Sequence, residues 1–111
     1  MADSITNFAE FWPDYLGAHR DPRTRAMHYF GTSLGVVCFL VFLSSGEWPW
    51  LIAAPICGYG FAFASHSLFE GNRPKTFEHP LWSFISDFYM LYLFLTGRIS
   101  PELAKLTPRH A

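Results

Sequence analysis

Ala26 to Ser45 reads AMHYFGTSLGVVCFLVFLSS, and Trp48 to Phe69 reads WPWLIAAPICGYGFAFASHSLF; neither stretch holds a charged residue. A bilayer core about 30 Å thick takes about 20 helical residues. Each stretch is long enough to cross one. Two such runs in 111 residues leave little sequence for the amphipathic surface of a soluble bundle. A third apolar stretch, Leu81 to Thr96 (LWSFISDFYMLYLFLT), is shorter and carries Asp87, so it is the weaker span. The expected fold is all-α: a small membrane bundle of two to three transmembrane helices.

The rest of the chain agrees with that reading. Only 15% of the residues are charged, against about 25% in an ordinary soluble domain. The net charge is −1, which leaves no basic excess to neutralise a phosphate backbone and argues against nucleic-acid binding. Cys38 and Cys57 both lie in apolar runs and read as small buried hydrophobes rather than a disulfide. The start, MADSITNFAEFW, lacks the positive and apolar regions of a signal peptide. One domain over 1–111 is expected, with a core over about 8–100 and a polar tail over 101–111.

Turn residues divide the chain. Residues 4–18 carry Phe8, Phe11, Trp12, Tyr15 and Leu16 at helical spacing, which suits a helix lying at the membrane interface. Ser4 is its candidate cap, and Pro13 predicts a kink or restart. Ser45-Gly46-Glu47 is a tight turn between the spans. Pro49 fits a first helical turn, whereas Pro55 predicts a kink or break. The second span should end at Glu70-Gly71-Asn72, since glycine favours the position past a helix end. Pro80 suits the first turn of the third helix, with His79 near its cap, and that helix should end near Gly97.

This order places histidines together. His19 and His28 flank the start of the first span, His66 the end of the second, and His79 the start of the third. In an up-down-up bundle those four points share one membrane face. His110 lies in the tail. Arg20, Arg23, Arg25, Arg73 and Lys75 fall on the histidine face, against Arg98, Lys105 and Arg109 on the other, which makes the histidine face cytoplasmic. Imidazole is a common ligand for zinc, iron, copper and nickel, so four histidines at one level read as a metal site. Each alone reads equally well as a core or capping residue.

Two carboxylates belong to the same reading. Glu70 shares a helix face with His66, continuing a stripe of small residues, Ala54, Gly58 and Ala62, that lets helices approach closely. It is a candidate ligand, a partner that fixes a histidine tautomer, or a solvated helix end. Asp87 lies about two turns inside the third helix, where an ionisable group is costly and needs a partner; a loop amide, a histidine or Arg73 would serve. Phosphate-loop, dinucleotide, nucleophile-elbow and HExxH patterns are absent.

Several motifs resemble those of a known family. They are His19-Arg20-Asp21-Pro22, His28-Tyr29-Phe30-Gly31-Thr32, the run Ser65 to Pro74 with its His-x3-Glu-x-Asn-x-Pro pattern, His79-Pro80-Leu81-Trp82-Ser83, Asp87-Phe88 and Leu95-Thr96-Gly97-Arg98. Over roughly residues 8–100 they resemble the family of the fungal 2-hydroxy fatty acid dioxygenase, in its short bacterial branch. The resemblance implies a small helical membrane protein with an Fe(II) site, in which His19, His28 and His66 are iron ligands and His79 is a fourth candidate. It implies α-oxidation, in which a 2-hydroxy fatty acid and O2 give an acid one carbon shorter. Glu70 and Asp87 then become candidate catalytic residues. Arg20 and Arg73 are candidates for binding the substrate carboxylate, since guanidinium recognises it bidentately. The implied location is a bacterial inner membrane, or the endoplasmic reticulum in a eukaryote. A metal- or haem-binding membrane protein without oxygenase activity, and a structural membrane module, are the rival readings.

Overall fold

Asp21 and Gly46 bound the longest helix, α2 (Pro22–Ser45). Asp21 accepts the Arg23 amide, and Pro22 takes the first helical position. At the other end Gly46 adopts φ 71°, a left-handed turn open to glycine, and its N–H reaches the Phe42 carbonyl. α3 (Trp48–Ser65) follows at once, with a proline in its first turn. A π-helical turn over His66–Glu70 prolongs it to Gly71, which caps it at φ 68°. Pro22–Ser45 and Trp48–Glu70 are both long and apolar enough to cross a membrane.

The computed structural model describes residues 5–106, and the remaining elements are α1 (Phe8–Gly17), a 3-10 turn (Lys75–Phe77), α4 (Pro80–Leu95) and α5 (Ile99–Ala104). The fold is an all-α bundle, with no strand among the described residues. α1 starts with Asn7 accepting the Glu10 amide. Ser4 and His110 lie outside the described residues.

α2 and α3 form a hairpin packed along its length. Their backbones nearly touch. A Cβ on Gly31 would lie 2.8 Å from that of Phe61, and one on Gly35 would lie 2.9 Å from the Ala54 carbonyl oxygen. This Gly-x3-Gly pair on α2 answers the small stripe on α3. Cys38 is buried and Cys57 half-buried, and both are free thiols.

α4 leans on α2 and carries α1. Phe11, Trp12, Tyr15 and Leu16 of α1 join Met90 and Leu93 of α4 in one core cluster. The aromatic face that suggested an interfacial helix is therefore buried against protein. α5 returns to α1, where Glu102 accepts the Trp12 indole N–H at 3.0 Å.

Neither inner proline breaks its helix. Pro13 and Pro55 leave the carbonyls of Ala9 and Leu51 without a helical donor, but all four residues are exposed, so the disturbance falls outside the packed faces. Large apolar side chains point outward, among them Leu43, Ile52, Ile56, Leu81 and Leu95. Such a surface suits hydrocarbon better than water.

Candidate metal centre

Three histidines from three different elements meet in the interior. His19 sits in the turn between α1 and α2, His28 in α2, and His66 at the start of the π-helical turn; all three are buried. The His19 Nε2 lies 3.1 Å from the His28 Nε2 and 3.0 Å from the His66 Nε2. The ring pairs stand nearly edge to face, so the nitrogens converge.

The other ring nitrogens decide what this convergence means. The His19 Nδ1 donates to the Tyr15 carbonyl at 2.6 Å. The His28 Nδ1 faces the Thr24 carbonyl at 3.1 Å and the Ser65 Oγ at 3.2 Å, and the Ser65 hydroxyl itself donates to the Ala62 carbonyl. The His66 Nδ1 donates to the Asn72 Oδ1 at 2.7 Å. The Asn72 orientation is set by its amide nitrogen, which donates to the Ala18 carbonyl at 3.3 Å. Carbonyls only accept, so each Nδ1 carries the proton, and a neutral ring then presents a bare Nε2 lone pair. Burial, with the neighbouring His28 and His66, pushes the His19 pKa well below its ordinary 6.5, so that ring is neutral at pH 7. Lone pairs aimed at one another at 3.0–3.1 Å repel unless a cation lies between them.

The cluster could hold a metal ion. Histidine ligands whose second nitrogen is fixed by an oxygen are the usual pattern at such sites. With metal–nitrogen bonds of about 2.1 Å, ligands at 90° stand about 3.0 Å apart and tetrahedral ones about 3.4 Å. Both short separations match neighbouring corners of an octahedron. A porphyrin does not fit: axial nitrogens on opposite faces of a haem would be about 4 Å apart with the ring between them.

Local structure explains the placement. The His66 carbonyl accepts from both Gly71, at 2.7 Å, and Asn72, at 3.3 Å, which folds the Asn72 side chain back onto the His66 ring. The turn bearing His19 is held on three sides. Asn72 takes the Ala18 carbonyl, Arg25 donates to the His19 and Arg20 carbonyls at 2.8 Å each, and Glu70 accepts the Asp21 amide at 2.7 Å.

The other expected residues lie around this core. Glu70 stands outside the three-nitrogen set and secures the His19 turn. His79 also stands outside it; it precedes α4 without a capping bond from its side chain, stacks on Trp82 and meets Phe11 edge-on. Asp87 accepts from the Tyr15 hydroxyl, not from a loop amide, a histidine or Arg73. Burial and the facing Asp87 push the Tyr15 pKa upward, so the phenol remains a donor, and its ring stacks on His19 at 4.2 Å. Arg20 lines a polar cleft with Asn72 and Lys75, while Arg73 is exposed over the Phe77 ring.

None of Tyr15, Thr24, Ser65, Asn72 and Arg25 was expected as a partner of the histidines, yet all hold them or their turn. For two of them a signal exists: Tyr15 and Thr24 stand four residues before His19 and His28, where a helical carbonyl meets the ring.

Comparison with known proteins points the same way. The family model described as 2-hydroxy-palmitic acid dioxygenase Mpo1-like matches residues 5–99, a span that includes all three histidines and their oxygen partners. No curated protein and no solved structure matches the chain. On the match over nearly its whole length, this chain belongs to the Mpo1-like family.

Proposed function

We propose that this protein is a membrane-embedded Fe(II) dioxygenase that converts a 2-hydroxy fatty acid and O2 to the fatty acid one carbon shorter. The observation that carries the reading is the convergence of three bare Nε2 atoms, each with its Nδ1 committed to an oxygen. The family's printed description supports the substrate class. Released as carbon dioxide, the lost carbon closes the balance: hydroxy acid plus O2 gives shorter acid, CO2 and water, with no further reductant.

His19, His28 and His66 would hold the ion. Bound there, iron would supply redox chemistry toward O2 and open positions for the oxygens of a 2-hydroxy acid. The protein's own task is positioning. Asn72, Glu70 and Arg25 keep the His19 turn and the His66 ring in register. Tyr15 shields one face of His19 and ties it to Asp87 on α4. Arg20, beside the polar cleft, is the candidate partner for the substrate carboxylate. Arg73, which lies in the loop after the π-helical turn, is a second candidate.

Metal analysis and O2 uptake on purified protein test this. His19→Ala, His28→Ala and His66→Ala should each lose iron and 2-hydroxy acid-dependent O2 uptake. His79→Ala should keep its iron. Wild-type iron content in all three triad variants would sink the reading.

A further inference from the structure

We propose that the apolar cavity between α2, α3 and α4 holds the acyl tail of the substrate, admitted sideways from the bilayer, and that Gly58 limits the chain length it accepts. The inference rests on the functional reading above. The cavity measures about 400 Å3, within the ordinary range for a small-molecule site.

Its position joins it to the histidines at two points. Thr32, in its wall, lies one turn beyond His28 on α2. Asp87, also in its wall, accepts from Tyr15, whose ring stacks on His19. Away from this corner the lining is apolar. Gly35 in the floor lies seven residues past His28, about 10 Å along the helix at 1.5 Å per residue. A head group at the nitrogens would thus send its tail toward the middle of the span.

The opening faces the surroundings of the bundle. α4 leans on α2 but barely touches α3, which leaves a cleft between them. Phe84 and Phe88 flank it from α4, at 48% and 41% exposure. A single-chain amphiphile, polar at one end and apolar along its length, is the occupant that suits a polar corner and an apolar lateral cleft together.

Glycine at 58 keeps the floor low. A Cβ there would meet nothing closer than the Gly31 carbonyl oxygen at 3.9 Å, so the position has room for a first carbon, and it lines the cavity. Gly35 differs: a Cβ there would strike Ala54, so its substitution would disturb the hairpin rather than fill the cavity. Gly60, on the same helix, is exposed with nothing within 4 Å and does not line the cavity.

The test compares wild type with Gly58→Phe, and with Val36→Phe, which fills the same cavity from α2 should the first variant fail to fold. Gly60→Phe is the control. Iron content, O2 uptake with 2-hydroxy acids of graded length, and displacement of a fluorescent polyene fatty acid from metal-free protein are measured. Gly58→Phe should keep its iron and the short acids, and lose the long ones by about fourfold for each methylene denied burial. Gly60→Phe should match wild type. An unchanged length profile in both cavity variants, or the same shift in Gly60→Phe, overturns the proposal. If the wild type consumes none of the acids, the functional reading fails. The tail site is then judged on displacement alone: it stands if long acids displace the probe and the cavity variants abolish this, and falls otherwise.

Discussion

Each of the three converging nitrogens depends on a proton held on the far side of its own ring. At His66 that proton goes to a side chain, the Asn72 amide, rather than to the backbone. Asn72 is therefore the one of these partners that a substitution can remove, together with its hold on the Ala18 carbonyl. Asn72→Leu should weaken metal binding by about 10–100-fold, as loss of such a partner commonly does, in a competition titration against a chelator. Protons act at the same residues. The folded-state pKa of His19 lies below 6.5, first because of burial and then because of His28 and His66. As pH falls through 6.5 the unfolded chain takes up a proton that the folded chain refuses, so stability is lost from about 6.5 downward. Melting of the metal-free protein in detergent should show a Tm that is level above pH 7 and declines toward pH 5.

Among the elements, the α2–α3 hairpin places His28 against His66. It rests on glycines rather than on large side chains. Gly35→Ala puts a methyl 2.9 Å from the Ala54 carbonyl oxygen, and overpacking of this kind costs about 1–3 kcal/mol. Gly60→Ala adds the same methyl in open space and should cost nothing measurable. Unfolding in mixed micelles compares the two. The π-helical turn matters in the same way. It widens the last turn so that Gly71 and Asn72 both fall back on the His66 carbonyl, a device often found at functional sites.

At the scale of the whole molecule, the long helices turn apolar surface outward while the polar residues gather at the histidine end. We expect the protein to stay in the membrane pellet after a carbonate wash; recovery in the supernatant would rule out the spanning arrangement. Lys105, expected on the opposite face, lines the same cleft as Arg20 and Lys75, because α5 turns back onto α1; with the basic residues gathered at the histidine end, we propose that this end is cytoplasmic. A cysteine introduced in the Ser45-Gly46-Glu47 turn should then react with an impermeant thiol reagent from the opposite side only.

The helices and their ends were legible because they depend on neighbours a few residues apart. The Gly46 and Gly71 stops and the Pro80 start all follow from local rules, and the structure has them where the sequence puts them; the first span instead begins at Pro22, four residues before its uncharged run, because Asp21 caps it. Chain order alone also brought the histidines to one end of the bundle. What chain order could not supply is rotation about each helix axis. That rotation decides that His19, His28 and His66 point at one another while His79 turns to Trp82 and Phe11. It also sends the aromatic face of α1 into α4, gives Asp87 to Tyr15, and sets Glu70 on the Asp21 amide. Those outcomes come from packing between residues far apart in the chain, where a small change in tilt or one widened turn re-aims a side chain. The sequence by itself determined an apolar helical bundle with its histidines at one end. Tertiary packing alone decided which of them converge.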